Sequence, residues 1–181
     1  MNKLFSYILV FIIAIALMGC SQAQPKPNFK NAEVDLVYVS YNMVNKLENN
    51  LKAPISPEEP IIVASFVDVN NLQQSSTFGR IMAEQVGSRF AQKGYKVIEM
   101  KLRQKSIFVE KGKGEFLLSR DIKDISQDHN ASAVIVGTYG SSSDKIYISL
   151  RIIDPKDSTI LASYDYGIPA GRRLQKMLIN E

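Results

Sequence analysis

"IIVASFVDV", residues 61–69, decides the fold. It is β-branched or apolar nearly throughout and lacks the alternation of a strand with one wet face. Such a run suits a strand covered on both sides, central in a sheet. The block that follows, "NNLQQSSTFGRIMAEQVGSRFAQKG" (70–94), opens as a polar loop whose hydroxyls at Ser75, Ser76 and Thr77 can accept from the unpaired amides of a helix start. Phe78, Met82, Val86 and Phe90 then step by four along one helix face, and Gly94 marks the stop. "YKVIEM" (95–100) is a short alternating strand, so residues 61–100 form a β-α-β unit.

On the amino-terminal side, Asp35 precedes a segment whose apolar residues Leu36, Tyr38 or Val39, Met43, Leu47 and Leu51 recur at helical spacing. Pro54, Pro57 and Pro60 end that helix and make a linker, because proline neither donates to a helix nor lets its predecessor adopt one easily. On the carboxyl side, "FLLSRDIKDISQDHNA" (116–131) predicts another helix, capped by Ser119, with Ile122 and Ile125 inward. Three strands follow, "SAVIVGTYG" (132–140), "KIYISLRIID" (145–154) and "TILASYDY" (159–166), the last two joined as a hairpin by a Pro-Lys-Asp turn. The expectation is a single α/β (α+β) domain, ordered β-α-β-α-β-β-β after an N-terminal helix, with the helices packed on a mixed sheet. The sheet must leave an edge, and Tyr139, Tyr147, Ile152, Tyr164 and Tyr166 make it rich in large side chains. That edge either adds strands between subunits of a homo-oligomer or is blunted by Lys145 and Asp165.

The amino terminus has its own logic. Lys3 gives a positive start, Tyr7 to Met18 is uninterrupted apolar sequence, and Gly19 supplies a small residue at a cleavage position. This is the layout of a secretory signal peptide over residues 1–19, with an uncleaved anchor as the alternative. Leu17-Met18-Gly19-Cys20 resembles the lipobox of bacterial lipoproteins, which implies that Cys20, the sole cysteine, becomes the mature N-terminus. There it would carry a diacylglyceryl thioether and an amide-linked acyl chain (palmitate). Two or more chains hold a protein on a bilayer where one does not. By the same resemblance Ser21 favours the outer membrane. A polar, proline-broken stretch follows, so residues 20–34 are expected to be a lipidated tether, its segment 21–31 spanning about 34 Å if extended like polyproline. A single cysteine excludes intrachain disulfides.

Composition narrows the function. Removing residues 1–19 takes away Lys3 as the one charged side chain and leaves 162 residues with 21 basic against 18 acidic groups, a formal charge of +3. That is too little, and too interspersed, for the concentrated basic face of a nucleic-acid binder; Lys101, Arg103 and Lys105 solvate one strand face. An enzyme is not expected. His129 is the only histidine, it sits at a helix end without a partner signature, and no zinc spacing or metal motif occurs. Gly112 and Gly114 in "EKGKGEF" lack the spacing of a phosphate loop, so no cofactor is expected either. The loop after the first strand is a better ligand candidate, since it leads from a strand's carboxyl end to a helix start. Asp68, Asn70, Ser76 and Thr77 are its candidate ligand residues, with helix capping as the plainer role of the two hydroxyls.

The stretches "FGRIMAEQVGSRFAQKGYKVIEMKLRQ", "KGKGEFLLSRDIKDIS" and "ASAVIVGTYGSSSDKIYISLRIIDPKDSTILASYDYGIP" together resemble the FlgO domain of flagellum-associated outer-membrane lipoproteins, over about residues 42–169. "GEFLLSRD" (114–121) and "VGTY" (136–139) are the more specific strings; the TolB amino-terminal type is similar in order but lacks the first. The resemblance implies a FlgO-like domain over 35–169 and a non-enzymatic role on the periplasmic side of the outer membrane. It also implies flagellar basal-body or envelope proteins as partners, in support of flagellar stability and motility. It carries over Cys20 and no catalytic residue. The alternative function is a lipid-tethered periplasmic module that binds an anionic or cell-wall ligand at the 68–77 loop. The tail, residues 170–181, lies outside the resemblance; Leu174, Met177 and Leu178 would pack a short helix either on a partner or back on its own domain.

Overall fold

The computed structural model describes residues 33–72, 74–98, 126 and 128–179. Asp35 opens helix α1 (Leu36–Asn49) as its N-cap, its carboxylate accepting from the amides of Val37 and Tyr38. The choice left open by spacing falls to Val39, which is buried with Met43, Val44 and Leu47, while Tyr38 is 67% exposed. Ser76 caps α2 (Thr77–Gln92), and Phe78, Met82, Val86 and Phe90 are all fully buried. Gly94 takes a φ of +91°, a left-handed turn that a side chain would resist, and so ends the helical path.

Six strands form one mixed sheet: β1 (Ile61–Val63), β2 (Val67–Asp68), β3 (Val97–Ile98), β4 (Ala133–Ser141), β5 (Lys145–Ile153) and β6 (Ile160–Pro169). The lateral order is β3-β1-β4-β5-β6, with β2 also on β4. Strands β1, β2 and β3 run parallel to their neighbours, whereas β4, β5 and β6 form an antiparallel meander. The α+β expectation holds, and β1 does lie between two partners. The helix expected over 116–131 lies outside the described residues apart from Ser126 and Asp128, which are helical, and residues 129–131 beyond it.

One expectation needs correcting. Residues 61–69 are not one strand but two short ones, with Ala64 to Phe66 between them. Val63 pairs with Ile135 and Val67 with Thr138, so the first chain spends one more residue than β4 over the same distance. That extra residue is the signature of a bulge. Its cause is Phe66, fully buried, whose ring occupies the space over Gly137: a Cβ there would fall 2.3 Å from the ring. Continuous β-branched sequence predicts the two flanks and not the kink, because what demands the kink is a glycine about seventy positions away.

The helices with described bounds cover one face. α1 lies over β5 and β6, α2 over β1, β3 and β4, and the short α3 (Arg172–Leu178) packs against α2. The main core between helices and sheet includes Phe66, Met82, Ile135, Ile148 and Leu150. On the other face a smaller apolar cluster gathers Ile62, Ala64, Val134, Val136 and Ile153. The tail therefore folds back on its own domain: Leu174 is buried, and Met177 and Leu178 pack on the same core. The tether's end is also engaged, since Val34 packs on the core and Glu33 pairs with Arg173 at 2.6 Å, though a pair this exposed contributes little.

The described sheet ends at β6. Lys145 sits on β5, opposite Pro169, and so does not blunt that edge; Asp165 does lie on β6. A different residue covers part of it, for Asn50 at the end of α1 donates its side-chain amide to the carbonyl of Ser163 at 2.9 Å.

Candidate functional site

The loop from Asp68 to Thr77 closes mostly on itself. Asp68 Oδ1 accepts from the backbone and side-chain nitrogens of Asn70, at 2.8 and 3.1 Å, and the Asp68 amide donates to the carbonyl of Gln74. Ser75 Oγ donates to the carbonyl of Phe66 at 2.7 Å, fastening the loop to the kink. Ser76 is buried; its Oγ accepts from the Gly79 amide and its own amide donates to Tyr139 Oη at 3.0 Å. Thr77 Oγ1 accepts from Arg80, whose guanidinium also donates to the carbonyl of Ser75. So all four residues picked out in this loop direct polar atoms into holding the strand-to-helix turn. Asn70 also lines an uncharged cleft of about 290 Å3 together with Val69, Thr138 and Tyr147.

Tyr139 and Ile152, expected among the large side chains of the sheet's edge, are both buried instead, and Tyr139 is the side chain that anchors this loop. It projects from β4 into the core with 2% exposure, meets Phe78 edge to face at 5.4 Å, and carries its hydroxyl to the first turn of α2. A buried tyrosine needs a partner for its hydroxyl, which is the one signal that could have pointed to it.

A second polar cluster ties the carboxyl ends of α1 and α2. Tyr95 Oη donates to Glu48 at 2.9 Å, and Lys93 pairs with the same carboxylate at 2.7 Å. Burial first, then the hydrogen bond to Glu48 and its negative charge, push the Tyr95 phenol up to about 12. A phenol held so firmly protonated keeps donating to Glu48, so the cluster reads as a clasp.

At the other end of the sheet a cleft of about 480 Å3 opens between the approach to β1, the approach to β4 and the β5–β6 turn. His129 lies in the turn leading to it, half-buried, followed by Asn130 with a φ of +49°. Among the described residues no group of three or more His, Cys, Asp or Glu side chains is placed to hold a metal ion, and no helix is long and apolar enough to cross a membrane. Cys20 and the segment 1–19 lie outside the described residues.

With this geometry in place, the comparisons are specific about family and fold. Residues 41–173 match the family model described as FlgO protein. The fold is similar to that of the LpoB C-terminal domain from Salmonella enterica, with a TM-score of 0.57 at 9% identity, covering 75% of this chain and 98% of that one. It is similar as well to LpoB from Escherichia coli in its NMR structure, with a TM-score of 0.56 at 12% identity, covering 82% of this chain and 74% of that one. Among curated proteins none matches the sequence.

Proposed function

The chain belongs to the FlgO family, and from that premise we propose that it is a non-enzymatic lipoprotein of the outer membrane, facing the periplasm, which supports the flagellum as a structural or assembly part. The family match over residues 41–173 carries this reading. Acyl chains on Cys20 hold the protein at the bilayer, residues 21–31 act as the spacer, and the α+β body meets envelope or flagellar basal-body proteins, in one copy or several. The polar groups of the 68–77 loop serve the fold. A ligand at that loop has less behind it, because only Asn70 faces a cleft.

The test is a Cys20→Ala chain in its native host. Membrane fractionation should find the variant out of the outer membrane, or stalled as a precursor. Mass spectrometry of the native chain should find acylation at residue 20, and swimming in soft agar should fall with the variant. A bare cysteine in the mature protein would remove the lipid anchor from this reading; full motility after deletion of the gene would remove the flagellum.

A further inference from the structure

Strand β6 is ten residues long, and no strand of the described residues pairs with its outer side. Folded proteins blunt such an edge with lysine, proline, a bulge or a covering element, because its free amides and carbonyls otherwise template another strand. β6 has little of this. Residues 160–168 hold neither lysine nor proline, and the irregularity in the pairing with β5 falls at the start of β6, opposite Ile152 and Ile153, which leaves 162–168 regular. The cover among the described residues is one exposed hydrogen bond, from Asn50 to the Ser163 carbonyl.

That bond also identifies the backbone groups that face outward. A carbonyl that meets Asn50 points away from β5, and in an antiparallel ladder the outward groups recur at every second residue, so Asp165 and Gly167 present theirs on the same side. Ser163, Asp165 and Gly167 are all exposed, and none is bulky enough to hold another backbone away. An antiparallel partner must match outward residues to outward residues. If that partner is a second copy, a twofold axis passes through one residue of β6. Centring on Asp165 sets two carboxylates directly opposite each other, which like charges disfavour. Centring on Tyr166 sets Ser163 against Pro169, which has no amide to donate. Centring on Ser163 runs into the irregular start of the strand. Centring on Tyr164 sets Asp165 against Ser163 twice, which allows four backbone bonds, puts a hydroxyl beside each carboxylate and stands the two Tyr164 side chains across from each other.

We propose that two copies of this chain pair antiparallel through β6 about a twofold axis at Tyr164. The Asn50 amide gives up the Ser163 carbonyl, which then accepts from the Asp165 amide of the second copy. This pairing asks nothing of the lipid anchor or of a flagellar contact, so it stands or falls on its own.

Sedimentation equilibrium of the full-length chain in detergent should show a monomer–dimer equilibrium with a Kd of about 10 μM, as suits a contact smaller than a standard interface. Asp165→Pro removes only an outward amide, so its Tm should stay close to the parent's while association weakens at least ~10-fold. Asn50→Ala frees the Ser163 carbonyl and should tighten association ~3-fold. Cross-linking reads the register without relying on the proline variant. In a Cys20→Ala background, which removes the only other thiol, Tyr164→Cys treated with copper–phenanthroline should form a covalent dimer, because facing residues of this kind have Cα atoms about 4.5 Å apart, within disulfide reach. Tyr166→Cys, which then faces Ala162 of the second copy, should not. A chain that stays monomeric up to about 100 μM would overturn the proposal and leave the edge to a strand of another protein. A dimer indifferent to a folded Asp165→Pro, or cross-linking through residue 166 and not 164, would overturn it as well.

Discussion

Phe66 shows how one side chain can set a junction. Its ring lies over Gly137 on β4, and its carbonyl sits where a Cβ on Gly79, in the first turn of α2, would fall 2.2 Å away. The strand kink, the seat of α2 and the central strand are thus fixed by one phenylalanine between two glycines. Gly137→Ala should cost about 1–3 kcal/mol or more through overpacking, measured by urea unfolding. Tyr139→Phe tests the neighbouring bond. It strands the amide of buried Ser76 and should cost about 1–3 kcal/mol, while Ser76→Ala, which keeps that amide bonded and loses only the cap to Gly79, should cost about 1 kcal/mol. If Ser76→Ala proves the more damaging of the two, the tyrosine is not the anchor.

At the scale of elements, the clasp between α1 and α2 gives a pH signature. The Tyr95 phenol is raised from 10.0 to about 12, so the folded state holds its proton after the unfolded chain has released it. The stabilisation is therefore complete below pH 10 and drains away as pH rises toward 12. The stability difference between the parent chain and Tyr95→Phe should accordingly shrink between those two pH values, and a difference that grows would refute the assignment. Sequence was a good guide to elements whose cause is local. Asp35 and Ser76 cap the helices they precede, and the four-step of Phe78, Met82, Val86 and Phe90 is buried without exception. It was a poor guide where the cause is distant: nothing within residues 61–69 announces Gly137, and nothing around Lys145 announces that Asn50 rather than a lysine would cover the β6 edge.

For the molecule as a whole, β4 is the spine. It pairs with β1 and β2 on one side and β5 on the other, and Ala133 to Gly137 are buried on both faces. Amide hydrogen exchange should find its central amides the last to open, with those of β3 and α3 among the first. The candidate sites were less legible than the fold. The 68–77 loop looked like a ligand loop because a strand end followed by serines at a helix start is common to both uses, and only the bonding pattern separates them.

The division of the sheet into a parallel and an antiparallel half also bears on how the chain finds its shape. The meander β4-β5-β6 closes through two short turns, whereas joining β1 to β4 brings together positions 72 apart, as in the Ser132–Pro60 contact. Loop closure of that length is entropically slow, so the carboxyl-terminal meander should nucleate and the amino-terminal strand should dock last. In stopped-flow experiments Leu150→Ala should slow refolding, while Ile61→Val should chiefly hasten unfolding. A chain leaving a translocation channel amino end first would then keep its docking strand waiting until the last hairpin had emerged.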